Sequence, residues 1–248
     1  MIQLGKPWAN GAMVVEFLGL PGAGKSTLAR LAAEALVECG IAVEYVNRVP
    51  TRGAGLPRRW LRKAGRVIEV LARTPRCSAR TIRRIHETRQ RSPRDFLITA
   101  FNWLLVTTLV HRAAASRKVV LLDQGIAQAL WSVGFSAQGD AWQETMCQVA
   151  SRAPAPDMIF LVQVAPHNIA DRLTFRRFKS GRLSGTQVND PGVLARASTL
   201  LVAVCDIMRS RQVPITVVSN EHHRQLYDNT TTIVRKIIFA LRHDTEVQ

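Results

Sequence analysis

Met13-Val14-Val15-Glu16-Phe17-Leu18-Gly19-Leu20-Pro21-Gly22-Ala23-Gly24-Lys25-Ser26-Thr27 is the stretch that decides the fold. Residues 19–26 have the spacing G-x-x-x-x-G-K-S, the Walker A or P-loop pattern. The six residues before it are a short apolar strand, and Thr27 to Leu36 is an Ala- and Leu-rich helix former. Gly22 and Gly24 let the backbone turn so that successive N–H groups face inward, where the helix start adds partial positive charge. Gly19, Leu20, Pro21, Gly22, Ala23, Gly24, Lys25, Ser26 and Thr27 therefore form an expected triphosphate cradle. Within it Lys25 can reach the outer phosphates and the Ser26 hydroxyl can ligate Mg²⁺. The alternative is a glycine-rich turn that binds nothing, but false matches to this motif mostly lack the strand and helix on either side.

Working outward, short β-branched runs alternate with Ala- and Leu-rich stretches. Strands are predicted at Val14–Leu18, Val43–Asn47, Val119–Asp123, Met158–Val164 and Ile215–Val218. Repeated β–α units imply a three-layer α/β/α sandwich around a five-stranded, mainly parallel sheet, with ligands at the carboxyl ends of the strands. No linker or repeat interrupts residues 1–248, so one domain is expected, with a helical lid near 168–190. The apolar run Phe96–Val110 carries Asn102 and is shorter than the ~20 residues a membrane span takes, so it reads as a core helix. Trp60, Leu61, Ala64, Val67, Ile68 and Leu71 make an apolar stripe on an expected amphipathic helix over Arg58–Arg73.

The chain has 248 residues, 47% of them hydrophobic, and a formal net charge of +16. Of its 34 Lys and Arg, 14 fall within residues 51–94, where Glu69 and Glu87 are the acids. Such a field attracts anions: a phosphorylated substrate, nucleic acid or an acidic membrane surface. Met1 to Lys6 lead into Pro7 and Asn10 rather than an apolar run, the pattern expected without a secretory signal. Cys39, Cys77, Cys147 and Cys205 are scattered, as are His111, His222 and His223, with no metal-ligand or redox spacing. A cytoplasmic chain, or one peripheral at the inner membrane face, is expected.

Asp123 follows Val119-Val120-Leu121-Leu122. An acid at a buried strand tip beside a P-loop can hold Mg²⁺ or take a proton from an attacking hydroxyl; the alternative is an Asp that caps a turn. Arg172 and Arg176 stand four apart, on one helical face, in a basic segment that continues through Arg177, Lys179 and Arg182. Stabilising spread negative charge while excluding water is what phosphoryl transfer requires, and an arginine-bearing lid does both. A solvated basic helix is the competing reading. Arg48 and Arg112 are further candidates for an acceptor phosphate, and Ser219 and Asn220 follow the last strand where a base could be selected.

From Val14 to Leu241 the chain resembles the thymidylate kinase-like branch of P-loop nucleoside and nucleotide kinases. The resemblance is carried by Gly19 to Thr27, by FNWLLVTTLVHRAAASRKVVLLDQG, by APDMIFLVQVAPHNIADRLTFRR and, more loosely, by Asn47-Arg48-Val49-Pro50. It implies that Asp123 acts near the phosphates and acceptor, Arg112 is the family's helix arginine, Arg172 and Arg176 are lid arginines, and Arg48 handles the acceptor. Gln124 replaces the arginine that should follow Asp123, Val49 replaces a glutamate, and Gly125 stands where an aromatic is frequent. These are acceptor-side positions, including the substrate-facing Gln124, so a different, anionic acceptor is implied.

The expected function is transfer of the γ-phosphoryl group of ATP, with Mg²⁺, to a nucleoside, nucleotide, sugar or lipid-linked glycan. The alternative is a regulatory or membrane-surface P-loop NTPase without kinase turnover, recruited through residues 51–94. Nucleic acid ranks last as a partner, because no recognised module and few aromatics accompany the arginines. A homodimer completes the partner expectations.

Overall fold

The computed structural model describes residues 12–46, 65, 67–69, 71–72, 74–138, 142–174, 190–222 and 224–246. Its five strands are β1 (Met13–Leu18), β2 (Val43–Val46), β3 (Val119–Leu122), β4 (Met158–Gln163) and β5 (Ile215–Ser219). They form one sheet in the order β2-β3-β1-β4-β5, and every neighbouring pair is parallel. All five predicted strands are present with ends displaced by a residue or so; Asp123 stands just past the end of β3 rather than closing it.

The helices are α1 (Lys25–Glu38), α2 (Pro75–Glu87), α3 (Pro93–Ala114), α4 (Ile126–Ser136), α5 (Trp142–Ala150), α6 (Pro166–Thr174), α7 (Pro191–Ser210) and α8 (Gln225–Glu246). Two begin on local signals. Ser92 Oγ accepts from the Asp95 amide with Pro93 next in line, and Asp190 accepts from the amides of Gly192 and Val193 with Pro191 next. Both pairs combine an N-cap acceptor with a residue that has no amide to satisfy.

Period-2 alternation sends successive side chains of a strand to opposite faces. Met13, Val15 and Phe17 of β1 join Leu28, Ala29, Ala32 and Leu36 of α1 and Ile233 and Ile237 of α8 in one core. Val14 and Leu18 join α3, α4, α5 and α7 in the other. Both faces are thus covered, as an all-parallel sheet demands. α4 lies among α3, α5, α7 and β1, and all of its residues are buried.

The apolar run around Phe96 is the core helix expected, α3, though Leu97 and Ile98 are exposed near its start. α3 and α7 are both long and apolar enough to cross a membrane, while Trp103, Val106 and Val110 of α3 and Leu200, Val204 and Met208 of α7 pack in the core. Of the expected amphipathic helix, residues 65, 67–69 and 71–72 are helical, with Val67 buried against Leu104 and Leu105 and Ile68 and Leu71 exposed. The rest of that segment lies outside the described residues.

Candidate active site

The P-loop leaves β1 at the carboxyl edge of the sheet and enters α1 at Lys25. Gly24 is the N-cap of α1, in the left-handed region at φ 95°. A side chain there would be strained, and its Cβ would collide with the Asn220 amide nitrogen. No side chain caps α1 and its first turn carries no acid, so the helix presents its positive end to the loop.

Lys25 is 8% exposed; its Nζ donates to the carbonyls of Gly19 at 2.7 Å and Leu20 at 2.9 Å. Next to it, Ser26 Oγ donates to Asp123 Oδ2 at 3.0 Å, and Asp123 is 1% exposed. The hydroxyl after β1 and the carboxylate after β3 are separated by 97 positions in sequence and meet because β1 and β3 are neighbours. Both are hard oxygen donors, the type that Mg²⁺ takes. Among the described residues no three His, Cys, Asp or Glu groups are grouped to hold a metal ion. Tyr45, from β2, donates its hydroxyl to the Ser26 carbonyl at 3.1 Å. Burial, and secondarily the charge of Asp123, push its phenol up to about 12.

The far side of the loop is held from β5. Asn220 is 3% exposed; its Nδ2 donates to the Ala23 carbonyl at 2.8 Å and its backbone amide to Gln163 at 2.9 Å. Arg172, on α6, donates to the carbonyls of Asn220 and Glu221, both at 2.8 Å. The Glu221 carboxylate accepts from the Ala165 amide and from Asn168 Nδ2, which holds it below the usual carboxylate range. The turn after β5 therefore ties α6 to the P-loop.

The structure brings Lys25, Ser26, Asp123 and Arg172 to one end of the sheet, and Gln124 is half-buried beside Asp123. Arg112 is placed elsewhere. It is exposed on the last turn of α3, where the chain enters the amino end of β3, and it pairs with Glu69. That is the pole of the sheet opposite Asp123. Arg48 and Arg176, with Arg177, Lys179 and Arg182, lie outside the described residues.

Glu16 is the residue that the motif reading passed over. It is a carboxylic acid at the middle of the central strand, 0% exposed, paired across the sheet with Leu122 and Ile159. Its Oε1 accepts from the amides of Gly125 at 3.0 Å and Gln128 at 2.8 Å, and its Oε2 from Ala127 at 3.1 Å. Burial pushes the carboxyl up to about 7, against the amides of Gln128, Ala127 and Gly125, which pull it down. A charged residue in a strand buried on both faces was a signal available in the sequence.

No protein-family model matches the chain, and no curated protein matches it in sequence. Among solved structures it is similar to the thymidylate kinase from Ehrlichia chaffeensis, at 13% identity and TM-score 0.49, over 92% of this chain and 99% of that one. It is also similar to the thymidylate kinase from Candida albicans, at 15% identity and TM-score 0.50, over 94% and 93% of the two chains. At such identities the likeness is one of architecture. The chain has a thymidylate kinase-like P-loop kinase fold.

Proposed function

We propose that this protein is a phosphotransferase that moves the γ-phosphoryl group of ATP to an anionic small-molecule acceptor. The observation that carries the reading is the Ser26–Asp123 pair, 3.0 Å apart at the mouth of a P-loop whose helix start is uncapped. The amides from Gly22 to Ser26 cradle the triphosphate. Lys25 leaves the Gly19 and Leu20 carbonyls and neutralises the outer phosphates. Ser26 and Asp123 fit Mg²⁺, which when bound neutralises charge on the phosphates. An acceptor oxygen bonds to the γ-phosphorus, the bond to the bridging oxygen breaks, and ADP leaves. When the acceptor is a hydroxyl, Asp123 is the group placed to take its proton. Arg172 and Arg176 belong to the segment that would close over the phosphates.

The test is ADP release by the purified protein across nucleosides, nucleoside monophosphates and sugar phosphates, with Lys25→Ala as blank. Acceptor-dependent release supports the reading and names the acceptor class. Tight ATP binding with no stimulation by any member overturns it in favour of a nucleotide-gated surface protein. One observation favours that second reading: Arg76, Arg80, Arg83, Arg89, Arg91 and Arg94 are exposed along α2 and the start of α3, close in sequence to exposed Leu97 and Ile98. Its signature is sedimentation with anionic vesicles that collapses as salt rises. A cytoplasmic or inner-face location, a single domain and a homodimer remain part of the proposal.

A further inference from the structure

Glu16 belongs neither to the P-loop motif nor to the phosphate-binding groups, yet it joins the two halves of the site. Its own strand delivers the P-loop three residues later, at Gly19. Its side chain crosses to the next strand's exit and accepts from the amide of Gly125, in the turn that carries Asp123 and Gln124, and from those of Ala127 and Gln128 in the first turn of α4. Ser26, at the start of α1, and Asp123, just past β3, thus sit on segments that Glu16 bridges. The fit is tight. An added Cβ on Gly125 would lie 2.5 Å from the Glu16 carboxyl carbon. The Glu16 carboxyl occupies the room a side chain at 125 would take. The charge reinforces this: burying a carboxyl without a cation is costly, and a simple cap from the turn's own sequence would avoid that cost.

We propose that Glu16 is a positioning residue that sets the spacing of Ser26 and Asp123 by clamping the β3–α4 turn to β1. Its metal-dependent consequence rests on the kinase reading; the clamp itself does not. Contacts that orient metal-binding residues change metal affinity by about 10- to 100-fold, and Glu16 acts on Asp123 through the turn rather than by touching it, leaving phosphate contacts made elsewhere intact.

The experiment uses the full chain as wild type, Glu16→Gln and Gly125→Ala. Glutamine keeps an oxygen for Gly125 and Gln128 and sets an amide NH₂ against the Ala127 N–H. Gly125→Ala retains the glutamate at 16 but displaces its carboxyl, so it remains informative if Glu16→Gln fails to fold. Two quantities are read: backbone amide exchange at Gly125, Ala127 and Gln128, and ATP affinity with and without Mg²⁺. The expected result is exchange faster by about 10-fold or more at Ala127 in Glu16→Gln and at all three amides in Gly125→Ala, since a lost hydrogen bond opens them. ATP affinity without Mg²⁺ stays within about twofold, and the gain from Mg²⁺ falls by about 10-fold or more. Wild-type exchange in both variants overturns the clamp. Faster exchange with an undiminished Mg²⁺ gain overturns the positioning role and reduces Glu16 to a structural cap. If wild type itself gains nothing from Mg²⁺, the metal consequence and the kinase reading fail together, and the exchange result decides the clamp.

Discussion

Two helices start at the exits of neighbouring strands, each with a glycine at its N-cap, and their positive ends meet different fates. α1 begins after Gly24 with no capping side chain and no acid in its first turn. α4 begins after Gly125, also without a cap from its own turn, but the Glu16 carboxyl fills its N-terminus from β1. A helix N-terminus favours an anion in both places. At α1 no side chain of the described residues caps the helix; at α4 the Glu16 carboxyl does. Whether a helix start can serve as a ligand site is thus decided by the strand beside it rather than by the residues that begin the helix.

The sharpest way to break the comparison is at α1. Lys25→Ala removes the cation that stands beside the open helix start. Turnover should fall by about 10²–10³-fold, the scale seen when one donor to developing charge is lost. Unfolding midpoints should move little by comparison. A variant that kept half of its turnover would show that phosphates are not held at α1.

Methyl groups placed at the two N-caps should separate the fates. Gly24→Ala drives a Cβ into the Asn220 amide in a left-handed backbone, so nucleotide binding itself should weaken, by about 10-fold or more. Gly125→Ala meets the Glu16 carboxyl instead and should spare metal-free nucleotide binding. Titration of a fluorescent ATP analogue without Mg²⁺ reads both. Equal losses would mean that the two helix starts form one site.

Acid–base behaviour distinguishes an internal anion from a ligand. The Glu16 carboxyl rises from 4.5 to about 7 on folding. Between these values the folded chain keeps a proton that the unfolded chain has released, so stability from this group is complete below pH 4.5. It is lost as pH rises to about 7, by about 3 kcal/mol. Urea unfolding of wild type against Glu16→Gln from pH 4 to 8 should show that difference in slope within the window and none above it. Parallel curves would mean the carboxyl ionises in the fold as it does in water.

The contrast also explains what could be read from the sequence. A P-loop is a contiguous device in which the residues proposed to cradle phosphate are those that form the turn, so Gly19 to Thr27 could be read from one stretch of sequence. The five strands were legible because a parallel sheet covered on both faces requires short apolar runs. Asp123 was legible because its strand leads to it. Glu16 requires knowing that β3 lies beside β1, that position 16 faces α4, and that position 125 has no side chain. Asn220 and Glu221, which hold the P-loop and α6, likewise lie far from their partners in sequence, and only strand order brings them together.

Arg112 shows the opposite failure, a residue whose local context suggested more than its placement allows. It sits in a helix that leads to the Asp123 strand, and that order matched the family pattern. Strand direction decides otherwise: the end of α3 lies beside the start of β3, and Asp123 lies beyond its finish. Arg112 is exposed and spends its charge on Glu69. An exposed pair of this kind contributes about 0–1 kcal/mol. Arg112→Ala should therefore change the unfolding free energy by no more than that, and acceptor KM by less than about twofold, where a lost acceptor contact costs far more. A tenfold rise in acceptor KM would place the acceptor within reach of the end of α3, and the site would no longer be confined to the strands' carboxyl ends.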